Sequence, residues 1–339
     1  MNFDIEEVEE VECLGVCEEY VYDIGMRESP HIFFANDILV HNSVFLNYGE
    51  TLKRRGFDLS DKKACVEECI RMDKDVSEVI IKNCDYVSNN IMNTDNIYSF
   101  ESEEVIERML ITSKKKYIAR VAFDKTTNEY PDEDYVVKGL EFQKSNLSDP
   151  VKKFLRSTTK KIMDGIGADD LITLLRDEFY KMETRPVDDI AYYQGVKNIE
   201  KYQKMSRVEI KDLVNQKAET EFPKHCPYHV AAAISLNTLI LADKDLSDMS
   251  TVTEGTKAGI VFVNRSNMFG VKAIAYTGEW NPKLFEYFSI DVDYMFNRLI
   301  LGPLEPSIKA AGFKLSTSDI LGYDFVGVDN ECIQRSLFT

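Results

Sequence analysis

No stretch of this sequence is apolar for long enough to cross a bilayer. Its longest apolar runs, Val230–Ile234 and Leu236–Leu241, are short and interrupted, whereas a spanning helix needs about 20 apolar residues. A basic-then-apolar leader is also missing, because the first twenty residues are acidic, so no secretory signal is expected. The seven cysteines are odd in number and scattered over 339 residues, which argues against a disulfide scaffold and for a reducing compartment. A cytoplasmic protein with no membrane partner is the expectation. No internal repeat or long low-complexity segment is visible.

Basic residues are nearly absent from one region. Residues 1–42 hold eleven acids against Arg27 alone, a charge of −10, which leaves −7 of the total −17 for everything downstream. Residues 138–161 reverse the sign, with seven bases against Glu141 and Asp149, a local +5. A modest basic cluster on one face holds phosphates even when the whole chain is acidic. The acidic start and the rest of the chain therefore read as separate functional units.

The pattern along the chain predicts an α+β protein. Tyr20–Gly25 is β-rich, and His31–Asn36 and Ile38–His41 flank an Asn36-Asp37 turn that favours a hairpin. Residues 61–92 carry Cys65, Cys69, Met72, Val76, Val79 or Ile80, Cys84, Val87 and Ile91 at helical spacing. Cys65 and Cys69, one turn apart on that stripe, read as buried small hydrophobes rather than a metal pair. A hairpin follows over Glu107–Ser113 and Lys116–Phe123, then a polar loop near Asn128–Asp134 and a short strand Tyr135–Lys138. From Asp149 onward the pattern is mainly helical, with breaks at Pro186, Pro223 and Pro227.

Two constellations carry chemistry. The first is Val21-Tyr22-Asp23-Ile24-Gly25, then His31-Ile32-Phe33-Phe34-Ala35-Asn36, then Ile38-Leu39-Val40-His41-Asn42 before the hydroxyl of Ser43. An asparagine amide can attack its own backbone carbonyl, cleaving the next peptide bond and leaving a succinimide, provided proton transfer and oxyanion support are positioned. Two of only four histidines fall inside this block. In order and spacing the block resembles the C-terminal region of inteins. The resemblance implies that His41 assists cyclisation of Asn42 and His31 acts as acid or base beside it. It implies that Asp23 positions or activates the nucleophile, and that Ser43 Oγ accepts the upstream acyl chain before an O-to-N shift. No cofactor is implied for these steps. The opening nucleophile and Thr-x-x-His block of an intact intein are missing from residues 1–42, so the N-terminal half is expected on another polypeptide, with splicing in trans. The −10 charge then suits attraction of a basic partner.

The second constellation follows the junction. Ser43-Val44-Phe45-Leu46 is similar to the end of the Tyr-Gly-Asp-Thr-Asp-Ser palm motif of family B DNA polymerases. Glu101 and Met109-Leu110-Ile111-Thr112-Ser113-Lys114-Lys115-Lys116-Tyr117 resemble that family's acidic strand and Lys-Lys-Arg/Lys-Tyr motif. Val137-Lys138-Gly139-Leu140-Glu141-Phe142-Gln143-Lys144-Ser145 resembles its Lys-Gly-Leu-Glu motif. Val196-Lys197-Asn198-Ile199-Glu200-Lys201-Tyr202, Lys224-His225-Cys226-Pro227-Tyr228-His229 with Asn237, and Phe296–Leu315 around Gly302-Pro303-Leu304-Glu305-Pro306 look like thumb motifs of T-even-type phage polymerases. Any one motif is weak; their order is specific.

The resemblance implies four parts: residues 1–42 a short all-β intein segment, 43–140 the end of a palm (a β-hairpin plus helices), 141–325 a mainly helical thumb, and 326–339 a tail. Lys114, Lys115, Lys116, Tyr117, Lys138, Lys144, Ser145, Lys197, Lys201 and His229 are the expected DNA contacts, with Lys152, Lys153, Lys160 and Lys161 as further phosphate candidates. Gln334, Leu337 and Phe338 resemble a sliding-clamp-binding plug. His225, Cys226 and His229 make a partial zinc set without a fourth ligand, so packing or DNA contact is expected there instead. Mg2+ is implied for the reconstituted nucleotidyltransferase, held mainly by carboxylates of the upstream fragment. The expected partners are that fragment, primer-template DNA and a clamp. The competing expectation is a non-covalent DNA-binding polymerase subunit whose splicing residues are inactive remnants.

Overall fold

The computed structural model describes the backbone of residues 21–25, 32–35 and 38–41, together with residues 45–93, 95, 101–131 and 135–322. The chain forms two compact units that divide between Gly139 and Leu140; segments 163–165 and 309–312 group with the first.

In the first unit the strands are β1 (Val21–Gly25), β2 (Ile32–Ala35), β3 (Ile38–His41), β4 (Glu101–Ser113), β5 (Lys116–Asp124) and β6 (Tyr135–Lys138), and the helices are α1 (Gly49–Arg54) and α2 (Lys62–Val87). The sheet runs β1-β4-β5-β6, antiparallel throughout, and β2 pairs with β3 as a separate hairpin with Ala35 opposite Ile38. Helix α2 starts where Asp61 accepts a hydrogen bond from the Ala64 amide at 3.1 Å, capping a free donor of the first turn. Its Cys65, Cys69 and Met72 then bury against Leu52, Val105, Ala122 and Phe123, so both cysteines are core residues. The apolar stripe predicted over 61–92 buries only its first half. Beyond Asp73, Val79 and Ile91 stay 58% and 56% exposed, and the helix ends in a π-turn over Ser88–Met92.

The second unit contains α3 (Asp149–Met163), α4 (Ala168–Thr184), α5 (Val187–Ile190), β7 (Tyr192–Gly195), α6 (Ile199–Met205), β8 (Arg207–Asp212), β9 (Lys217–Glu221), α7 (Tyr228–Ala242), β10 (Lys257–Phe262), β11 (Ala273–Tyr276), α8 (Val292–Phe296), α9 (Gly302–Ala310, its C-terminal end grouping with the first unit) and α10 (Thr317–Leu321). Helix α7 is apolar on every side, and Val230, Ala232, Ala233, Leu236 and Leu239 are all buried. It is the central helix of the unit's core.

Helices predominate here, as expected, and two antiparallel sheets, β11-β10-β7 and the β8–β9 hairpin, are set among them. Strand β10 is buried from Ala258 to Phe262, so it shows a continuous apolar run instead of alternation. Strands β8 and β9 do alternate, but their outer faces are charged, with Arg207 and Lys211 paired to Glu219 across the strands and Lys211 to Glu209 within β8. Gly259 is required in β10 because a Cβ there would lie 2.8 Å from the ring of Tyr276.

One polar pair is set deep in this unit. Glu178 on α4 is 2% exposed and is held by both guanidinium nitrogens of Arg185, at 2.5 and 3.1 Å. Burial raises the Glu178 carboxyl above its ordinary range, and Arg185 opposes the rise. Arg185→Ala leaves a buried carboxylate alone, at an expected cost of about 3–5 kcal/mol, read as a lowered urea midpoint. A carboxyl whose folded pKa is raised loses stability as pH climbs through that pKa. The deficit of Arg185→Ala is therefore expected to be largest near neutrality and to shrink as pH falls into the carboxylate range.

Candidate nucleic-acid interface

Strand β4 turns into β5 through Lys114 and Lys115, with Ser113 opposite Lys116. Lys115 adopts a left-handed φ of 63°, a conformation that favours Gly or Asn and costs a side chain on the order of 1–2 kcal/mol. Thr112 Oγ1 steadies the turn by donating to the Lys116 carbonyl at 3.1 Å. Placing lysine at a strained tip points to a use for its charge.

The second lysine motif meets the first in space. Strand β6 pairs with β5 so that Lys138 lies opposite Tyr117. Gly139 then bends with φ 63°, and a Cβ on it would sit 2.7 Å from the Lys115 carbonyl oxygen and 3.0 Å from Lys116 Cγ. Only glycine satisfies both the backbone angle and the contact. Gly139→Ala is expected to destabilise this corner by about 1–3 kcal/mol, detected as faster amide exchange at Lys114–Lys116 with little change in the second unit. Lys114, Lys115, Lys116 and Lys138 are all exposed, and none forms an ion pair with a described residue.

Tyr117, expected to face DNA, turns inward instead: its ring is 9% exposed and packs edge-on against Phe45, with centroids 5.2 Å apart at 82°. Its part here is to anchor the strand behind the lysine tip. Phe45 lies two residues beyond Ser43 in the sequence. His31, Asn42 and Ser43 themselves lie outside the described residues, as do Gln334, Leu337 and Phe338. Asp23 lies in β1 and His41 ends β3 opposite Ile32, the residue after His31. Those two are placed by backbone alone.

In the second unit the expected contacts differ in availability. Lys144 is engaged by Glu141 at 2.6 Å, and Lys152 lies 3.6 Å from Asp149, so both are locally balanced. The Ser145 carbonyl accepts from Lys257 Nζ at 2.7 Å. Lys197 is exposed, and the amides of Asn198 and Ile199 donate to Glu254 at 2.6 and 2.9 Å. Lys201 lies over the ring of Tyr202, whose hydroxyl donates to the His225 carbonyl. Asn237 makes paired hydrogen bonds with the backbone of Val252, a structural role. His229 faces Gln194 through Nδ1 at 3.3 Å, and burial lowers its pKa below the ordinary imidazole value. Burial therefore disfavours a charged phosphate contact from it. Cys226 is held protonated by burial, its thiol pushed up.

Helix α3 adds a residue that sequence reasoning passed over. Val151, Leu155 and Ile162 bury one stripe of the helix, which turns Lys153, Arg156 and Lys160 to the opposite face. Arg156 falls at i+3 from Lys153, and the helical spacing of the bases is the signal that finds it.

Among the described residues, no three of His, Cys, Asp and Glu converge as a metal site requires. No family model and no curated protein matches this chain.

Proposed function

We propose that residues 43–339 are the C-terminal part of a family B-like DNA polymerase, joined to an upstream polypeptide by trans-splicing between Asn42 and Ser43. The observation that carries this reading is the lysine corner. Four exposed ammonium groups, unneutralised among the described residues, gather at one end of the β4–β5–β6 sheet, where Phe45 packs on Tyr117 behind them. Upstream carboxylates joined to Ser43 would enter beside these cations, next to which a primer terminus and its phosphates need positive charge. The lysines hold backbone phosphates without reading sequence, while the basic face of α3 offers further phosphate contacts. When bound, Mg2+ supplies charge neutralisation at the transferred phosphoryl group. This chain's own residues position and neutralise the nucleic-acid backbone.

In the splicing reaction Ser43 Oγ attacks the carbonyl that joins the upstream segment to the first residue of the partner's intein half; that bond breaks, the intein half leaves with the Ser43 proton, and an ester forms at Oγ. The Asn42 amide then attacks its own carbonyl, releasing the Ser43 amine and a succinimide-ended peptide, and the amine takes the acyl group from oxygen. His31 and His41 move protons for these steps, and Asp23 positions the nucleophile.

The test is to mix this chain with a matching upstream polypeptide and weigh the products. A ligated product containing Ser43–Thr339, and a peptide of residues 1–42, are expected, with metal-dependent primer extension only after mixing. A tight unligated complex that extends primers would replace splicing with non-covalent subunit assembly. Primer extension by this chain alone would overturn the polymerase-fragment assignment.

A further inference from the structure

Strand β4 has the character of a central strand, yet its neighbour on one side comes from the acidic N-terminal segment. Val105 packs into the core under α2 with Cys69 and Phe123, while its sequence neighbour Ile106 packs into the core on the opposite face with Tyr117 and Ala119. Met109 and Leu110 are buried as well, at 5% and 1% exposure. A strand buried on both faces belongs inside a sheet, because as an edge it would offer backbone donors and acceptors beside a hydrophobic surface. Here β5 covers one side of β4. The other is covered by β1, with Val21 opposite Ile106, Tyr22 opposite Val105, Ile24 opposite Ser102 and Gly25 opposite Glu101.

We infer that the β4 edge over residues 101–106 is a strand-addition surface, that β1 is its temporary cover, and that an extended segment of the upstream polypeptide is its lasting occupant. This rests on the reading in which residues 1–42 leave on splicing, since departure of β1 would otherwise not occur. The occupant is a peptide strand because the surface offers main-chain hydrogen bonds in register, which no helix or nucleic acid satisfies. Before splicing the cover also keeps two copies of β4 from pairing edge to edge.

The experiment is amide hydrogen exchange on the full chain, read by mass spectrometry at residues 101–106. Neighbouring amides in a strand point to opposite sides, so the double variant Val21→Pro/Tyr22→Pro removes the ladder whichever amide faces β4. Exchange at 101–106 is expected to quicken by about tenfold or more, while β10 amides in the second unit stay protected and show that the chain is folded. Adding the upstream polypeptide to this variant is expected to restore protection at 101–106 with or without ligation. Unchanged exchange in the double variant would overturn the role of β1 as cover. Exchange that stays fast in the complex would overturn the upstream strand as occupant. Ligation is weighed separately, so failure of splicing is seen as a missing ligated mass and is not confused with either result. Should the double variant lose β10 protection, Ile24→Pro in its place is judged by the same two readings.

Discussion

Asn42→Ala is expected to abolish release of the peptide of residues 1–42 when the chain is mixed with its upstream polypeptide. Alanine has no side-chain amide to close the five-membered ring, so the bond to Ser43 stays intact. Formation of the ligated product should fall by at least about a thousandfold, the scale on which a positioned nucleophile and its supporting donors act. Transfer to Ser43 Oγ precedes this step and does not use the amide. A branched ester, labile to mild base, should therefore accumulate and be visible as a mass equal to this chain plus the upstream acyl segment. Ser43→Ala should show the complement: no branched species, with residues 1–42 still released by Asn42 cyclisation. Ligation at the parental rate by Asn42→Ala would remove the splicing reading and leave His31 and His41 without a chemical task.

Removing charge from the lysine corner is expected to have the next largest effect. The variant Lys114→Gln/Lys115→Asn/Lys116→Gln keeps the turn, because asparagine tolerates the left-handed φ of Lys115. Every phosphate that goes without its lysine lowers the dependence of log affinity on log salt by about 0.9. Removing all three ammonium groups should flatten the slope for primer-template binding by about 2–3 and weaken binding roughly 10–100-fold near 0.1 M salt. Lys144→Gln is the contrast. That ammonium is already paired with Glu141 at 2.6 Å, so little change is expected. Anisotropy titrations of the assembled protein over a range of salt decide both. An unchanged slope in the triple variant would remove the corner from the DNA surface.

Local periodicity makes part of this molecule legible. The Cys65–Cys69–Met72 spacing marks a helix and its buried side, and it gives the right reason for two cysteines in a core. The β4–β5 hairpin and β6 follow from alternation and turn chemistry, although β4 begins at Glu101, six residues earlier than the pattern suggests. Where local pattern is silent, the expectation is incomplete. Burial on both faces hides β10 as a strand, and surface ion pairs hide β8 and β9.

The sequence by itself determined the acidic and basic segments, the order of the motifs, the hairpin of β2 and β3, and the residues expected to perform cyclisation and acyl transfer. These depend on neighbours in the chain, where spacing and side-chain chemistry act directly. Tertiary structure alone decided which lysines stay unneutralised among the described residues, since an ion pair depends on what folds alongside. It turned Tyr117 inward against Phe45, fitted Gly139 against the Lys115 carbonyl and buried Glu178 with Arg185. It also laid β1 along β4, about eighty residues away in sequence. Such contacts join residues distant in the chain, and no periodicity of one segment carries the shape of another.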